Sequence, residues 1–461
     1  MRPLLAITLL AFAGLAGAQG VTLPEPTFVE LDNGATFIVH EKRDVPLVGI
    51  SVIVRGGAVT DPEGKAGMSS LLAALLEKGA GERDAAGFAE TVDAAGATLS
   101  ARAGLESITI SGEFLARDAG LAVELIADML RAPALDRGEF GKLRDRRIDL
   151  IRAAKDNNLT GLLPLYGAAW LFADHPYGTA VDGDEASLAD ITHGDLLGFY
   201  DDFVGADRLI VSVVGDINAD AVVSALTESF ADWRPAAQPL PEIVPAEPRT
   251  GRRVLLIDKP GATQTYFWIG NVGVARDFAQ RAELDIANTL FGGRFTSLLV
   301  DEMRTKAGLT YGVQSSLIRP TAPGSFAIVS FTKTDTTVVA IDLALDLLRR
   351  MRKEGFTEEL ITSGKNYILG QFAPRLETSS QLAGQFASLR AAGLDASYIN
   401  DYGAAIAGAA GEDIQAVITS VYPRPRNLVF VIIGDAELIR NDIAKYGPVT
   451  EMPITEPRFT P

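Results

Sequence analysis

Few side chains in this 461-residue chain are equipped for chemistry. It has no cysteine and three histidines, His40, His175 and His193, so composition alone excludes thiolate nucleophiles, disulfides and cysteine-held metals. A zinc site built on one helix needs two ligands a turn apart, so that both project from the same face. No two of these histidines stand that close, and His175, in the run Asp174-His175-Pro176-Tyr177-Gly178, reads as part of a structural loop. Ser70 sits near the start of a helical run. A serine nucleophile requires a base and oxyanion donors, and with the histidines so scattered, capping or packing is its expected role. Arg304 and Tyr311 flank Gly308, the arginine in the last turn of a helical segment and the tyrosine at the start of the next strand. Both donate hydrogen bonds near neutral pH, although either one alone reads equally as a helix-terminus charge or a buried phenol.

Two longer stretches give these residues a context. Asp61 to Ala80 (DPEGKAGMSSLLAALLEKGA) is a glycine loop entering a helix, and Gly292 to Val313 (GGRFTSLLVDEMRTKAGLTYGV) is a second helix with a glycine stop. In the latter, Phe295, Leu298, Leu299 and Met303 recur at helical spacing. Both stretches resemble signature elements of the pitrilysin-like (insulinase) peptidases, and the resemblance runs from about Pro24 to Tyr446.

In that family the first helix carries H-x-x-E-H, in which two histidines bind zinc and the glutamate activates the attacking water. Laid on this chain without gaps, those positions fall at Ser70, Ala73 and Ala74. The family's third ligand, a glutamate on a later helix, is expected within Arg144 to Lys155 and close to Ile151. That stretch has Asp145 and Asp149 but no Glu. The second segment resembles the family's R/Y element. The resemblance implies that Arg304 and Tyr311 reach a zinc site in a facing half and hold the scissile carbonyl as negative charge develops on its oxygen. It also implies substrate bound as an added strand on a sheet edge.

Taken together, the resemblance implies a zinc-less subunit of a heteromeric metallopeptidase. This chain would hold no cofactor, while a paralogous partner with H-x-x-E-H would carry the zinc, and unfolded peptides would be the substrate. The alternative is a structural or peptide-binding protein with no role in proteolysis. The histidine census opposes a third reading, an independent hydrolase with unconventional ligands.

The elements that position these residues repeat once along the chain. Arg208 to Asp216 (RLIVSVVGD) returns as Asn427 to Asp435 (NLVFVIIGD), and each is a short apolar run closed by Gly-Asp. A helical segment ending in tyrosine, at Tyr200 and Tyr422, precedes each copy. Ala35–Gly57 and Arg253–Gly273 correspond as paired strands about a turn. Five prolines between Arg234 and Pro248 deny that stretch helix or central-strand roles. The expected fold is therefore α+β. Two homologous halves, residues 22–234 and 251–446, each form an antiparallel sheet packed with helices, joined by a linker at 235–250, and together make one half of a clam shell. The tail, 447–461, reads as irregular and peripheral.

A net charge of −17 opposes binding to nucleic acid, which needs clustered Lys and Arg. Met1-Arg2-Pro3 followed by an apolar run and Ala16-Gly17-Ala18 reads as a cleavable export signal over residues 1–18. With the family resemblance it points to a bacterial periplasm, with no membrane span once the signal is removed.

Overall fold

A computed structural model describes residues 22–461. The expected export signal lies outside the described residues. No helix among the described residues is long and apolar enough to cross a membrane.

Two six-stranded sheets carry the fold. The first is built from β1 (Thr27–Glu30), β2 (Thr36–Glu41), β3 (Leu47–Arg55), β4 (Thr98–Ala103), β5 (Ser107–Leu115) and β6 (Leu209–Gly215), in the spatial order β1-β2-β6-β3-β5-β4. The second is built from β7 (Arg252–Asp258), β8 (Gln264–Val272), β9 (Val313–Ile318), β10 (Ser325–Lys333), β11 (Leu428–Gly434) and β12 (Val449–Pro453), in the order β12-β7-β11-β8-β10-β9. Five strands correspond in order, and only the edge strands differ, β1 being antiparallel to β2 and β12 parallel to β7, so the repeat seen in the sequence is a repeat of architecture. The recurring Gly-Asp runs are β6 and β11, and both are buried at all seven positions. Burial on both faces is why they read as continuous apolar runs without alternation.

The sheets are mainly antiparallel, with a departure from the expected all-antiparallel arrangement. β2 and β3 do not pair with each other, because β6 lies between them, parallel to β2 and antiparallel to β3. β11 takes the same place between β7 and β8, and β12 adds a further parallel pairing with β7. Each short turn in the sequence therefore spans a gap that a later strand fills. Local spacing gives no sign of this.

The two halves are interlocked. The helix α3 (Leu159–Phe172), which belongs to the first half, packs on β8, β10 and β11 of the second sheet. The helix α4 (Ser379–Ala391), from the second half, packs reciprocally on β3, β5 and β6 of the first. One apolar core accordingly joins Leu159, Leu163 and Tyr166 to Trp268, Val431 and Ile433. Another joins Leu382, Ala383 and Phe386 to Ile38, Ile53 and Ile210. A third core, from Val254 to Tyr446, is built by the second half alone, so it is the sheet faces under α3 and α4 that the opposite half covers.

Glycines permit both approaches. A Cβ on Gly167 of α3 would lie 2.7 Å from the Trp268 indole, and one on Gly49 of β3 would lie 2.3 Å from the Ser380 nitrogen at the start of α4. Gly167→Val is expected to lower the unfolding free energy by about 1–3 kcal/mol through overpacking at this seam. Urea denaturation checks this, and an unchanged midpoint would mean that α3 is not seated on the second sheet.

The tail is not peripheral. Residues 449–453 form the edge strand β12, and Met452, Ile454 and Phe459 are buried in the core shared by both halves. Phe459 meets Tyr166 edge-on at 4.9 Å. Lys155, which is 5% exposed, donates to Glu185 at 2.7 Å and to the Glu456 carbonyl at 2.5 Å. The prolines keep the tail out of helix but leave it able to form an edge strand. The linker forms neither helix nor strand, and Ile243 and Ala246 pack against the core.

Candidate functional site

The degenerate metal helix is α1 (Met68–Leu76), and it is shallowly amphipathic and largely buried. Its start is fixed by Asp61, whose two oxygens accept from the N–H groups of Gly67 and Ser69, each at 2.8 Å. Gly67 adopts a left-handed φ of 93° and abuts Gly183, so the entry loop requires glycine there.

Burial pushes the Asp61 carboxyl from its ordinary 3.8 up to about 7, against the lowering effect of the backbone donors. The folded state therefore holds this proton more tightly than the unfolded chain. The resulting contribution to stability is complete below about pH 4, declines as pH rises and is lost above about pH 7. Asp61→Asn should remove this component. The urea midpoint of the wild type minus that of the variant would fall between pH 4 and pH 7, and a flat difference would contradict the burial of this carboxyl.

Ser70 and Ala74 lie one turn apart on α1 and face the long helix α2 (Arg137–Asn157). With Ile151 of α2 they line a cavity of about 490 Å³. The three ligand positions assigned by ungapped spacing therefore converge in space, although none bears a ligand. Ala73, at the position of the general base, is 1% exposed. Ser70 Oγ donates to Asp182 Oδ1 at 2.7 Å and accepts from Arg147 Nη1 at 2.6 Å, and Arg147 is ion-paired with Asp182. Ser70 thus holds a polar cluster in place and is neither a nucleophile nor a simple cap.

These residues do not fit zinc. Alanine and isoleucine offer no lone pair, and the Arg147 guanidinium beside Ser70 would repel a dication. Asp145 and Asp149 do not line the cavity. Among the described residues no group of three His, Cys, Asp or Glu is placed to hold a metal. The histidines lie in unrelated surroundings. His175 Nε2 bonds the Val244 carbonyl at 2.8 Å while Nδ1 accepts from Tyr177 N–H, which pins the linker. His193 Nε2 bonds the Leu135 carbonyl at 2.6 Å, and His40 packs against Phe386.

The second segment leaves the helix Arg281–Asn288 and passes through a wide π-type turn at Thr289–Gly293, then through another at Val300–Lys306. Such widened turns re-aim the side chains around them. Leu299 and Met303 are fully buried, as the spacing predicts, and Gly308 supplies the left-handed stop at φ 63°. Phe295 departs from expectation. It precedes the helix instead of lying on its apolar face, is 71% exposed, and carries the Arg304 guanidinium 4.8 Å above its ring.

Tyr311 is 83% exposed. It is turned outward because Thr310 is turned inward. Thr310 Oγ1 accepts from Gly312 N–H at 3.0 Å, and Ser330 Oγ donates to the Gly312 carbonyl at 2.9 Å. Among the described residues, neither the Arg304 guanidinium nor the Tyr311 hydroxyl has a hydrogen-bonded partner, and neither residue lines the cavity beside Ser70 and Ala74. The sequence reading named Ser70 but missed Arg147 and Asp182, which no local motif connects to it.

With this geometry in hand, the chain can be set beside known proteins. Residues 37–177 match the model of the insulinase (peptidase M16) family, and residues 190–368 match the peptidase M16 inactive domain. A peptidase M16 inactive domain from Pseudomonas fluorescens superposes with a TM-score of 0.82 at 23% identity, over 89% of this chain and 98% of that one. An uncharacterized zinc protease of Mycobacterium bovis is 26% identical over 77% of this chain and 81% of its own length. The Helicobacter pylori non-peptidase homolog YmxG is 23% identical over 78% and 83%. The class defined by fold and site is a two-sheet peptidase scaffold whose metal motif has been replaced. The chain belongs to the insulinase (M16) peptidase family, as a member without the family's zinc ligands.

Proposed function

We propose that this chain is the non-catalytic subunit of an exported, heteromeric M16 metallopeptidase. In this reading it lends Arg304 and Tyr311 to carbonyl binding in the active site of a zinc-bearing paralogue. The observation that carries the reading is that the Tyr311 side chain is exposed and Arg304 is partly exposed, with neither side chain hydrogen-bonded to a partner among the described residues, while the chain's own degenerate site offers nothing for them to serve. Accessible donors without partners of their own are suited to a site completed by another subunit. The partner supplies ligands, zinc and general base, and this chain supplies donors for the developing oxyanion. Unfolded peptides are the substrate class, and the periplasm is the proposed compartment.

The test is a mild pull-down of the tagged chain from its native host, with zinc analysis and mass spectrometry of the eluate. Co-elution of a paralogue bearing H-x-x-E-H with one zinc per complex is the expected result. Recovery of the chain alone and metal-free would remove the shared-site reading.

A further inference from the structure

We infer that the cavity at the degenerate metal position is a binding site for the free C-terminal carboxylate of a peptide. Its volume, about 490 Å³, is that of a small-ligand site. Part of the lining is apolar, formed by Leu150, Ile151, Leu162 and Leu165, and Leu150 is 59% exposed. The lining also carries Arg102 and Arg147, with Asp182 as its one acidic side chain among the described residues. Two guanidinium groups against one carboxylate leave the lining with a positive charge, in a protein whose net charge is −17.

Arg147 is held ready for an anion. Its Nη1 alone makes the bonds to Ser70 and Asp182, so the plane of the guanidinium is fixed while its Nε and Nη2 donors have no partner among the described residues. A planar guanidinium edge fits a carboxylate bidentately, and a side chain immobilised beforehand loses little entropy on binding. Arg102 lies on β4, the terminal strand of the first sheet, and Ala101 to Ala103 of that strand form part of the cavity wall. β4 pairs only with β5, and its Ala101 N–H donates to Glu77 Oε1 at 2.5 Å, so what the cavity offers a peptide is a place for its end. A peptide end entering the cavity meets the arginines with its carboxylate and the leucines with its last side chain. Where a metal would hold a carbonyl for attack, this site holds a terminus. The inference concerns a cavity within one chain and does not rest on the partner proposal.

The experiment is calorimetric titration of the isolated full chain, at low ionic strength, with N-acetyl-Ala-Ala-Leu as the free acid and as the C-terminal amide. The free acid is expected to bind at least tenfold more tightly than the amide. Arg147→Met is expected to abolish that discrimination. Ala74→Phe, which fills the cavity, is expected to weaken binding of both probes at least tenfold, with circular dichroism confirming the fold of each variant. Should Arg147→Met misfold, the acid and amide comparison on the unaltered chain and the Ala74→Phe variant still decide. Equal binding of acid and amide, no heat from the free acid up to the millimolar range, or equally effective competition by inorganic phosphate would each overturn the inference.

Discussion

Arg304→Ala, introduced into the assembled heteromeric peptidase, is expected to lower kcat/KM for peptide cleavage by about 10²–10³-fold, the usual cost of losing one preorganised donor to a developing oxyanion. Arg304 is suited to that part because its guanidinium has no ion-pair partner among the described residues. Its guanidinium rests on the exposed Phe295 ring at 4.8 Å, which steadies the side chain without occupying its donors. Truncation therefore removes little that the fold needs, and the two chains should still co-purify. The loss should fall mainly on kcat, because the donor acts on charge present only in the transition state. Arg304→Lys, which keeps the charge and loses the planar fork, should recover only part of the rate. Tyr311→Phe, which deletes one hydroxyl from an 83% exposed side chain, should also cut kcat without altering assembly. Cleavage that proceeds at the wild-type rate in Arg304→Ala would sink the shared-site reading. Arg304 and Tyr311 would then be surface features.

The second large effect concerns the metal. Ser70 and Ala74 are one helical turn apart and face Ile151 across a shared cavity, so the backbone still places three ligand positions together. Ser70→His with Ala74→His and Ile151→Glu is expected to bind zinc only weakly while Arg147 remains. That guanidinium sits where it bonds residue 70, and its charge opposes a dication. Adding Arg147→Gln is expected to raise zinc content from near zero to about one per chain, with affinity tightening by at least tenfold, because two histidines at i and i+4 and a carboxylate form the tridentate set of a catalytic zinc site. Atomic absorption on chelator-washed protein measures this directly. If the quadruple variant holds no more zinc than the wild type, α1 and α2 are not in the ligand-holding geometry, and the convergence at Ser70, Ala74 and Ile151 is coincidental.

Particular residues show how far the sequence could be read. The Gly-Asp runs at Arg208 to Asp216 and Asn427 to Asp435 announced two equivalent strands because burial on both faces demands an unbroken apolar run. Ser70, Ala73 and Ala74 could be placed because helical ligand spacing is a local property, recoverable from neighbours a few residues away. Phe295 misled for the same local reason. It fits the helical period, but the helix begins only after it, so the ring stays in solvent. The tail misled through its prolines, since a proline-containing segment can still serve as an edge strand such as β12.

The linear chain by itself determined the duplicated α+β architecture, the absence of zinc ligands, and the positions of Arg304 and Tyr311 about a glycine stop, since each depends on residue type and short spacing. Only the tertiary structure decided the rest. The Arg147–Ser70–Asp182 cluster joins residues separated by 77, 35 and 112 positions. The insertion of β6 between β2 and β3, and the exchange of α3 and α4 between the halves, likewise join distant segments. Such contacts form when surfaces far apart in the chain bury one another. The free energy of that burial depends on shape and area in three dimensions, and no local period encodes it.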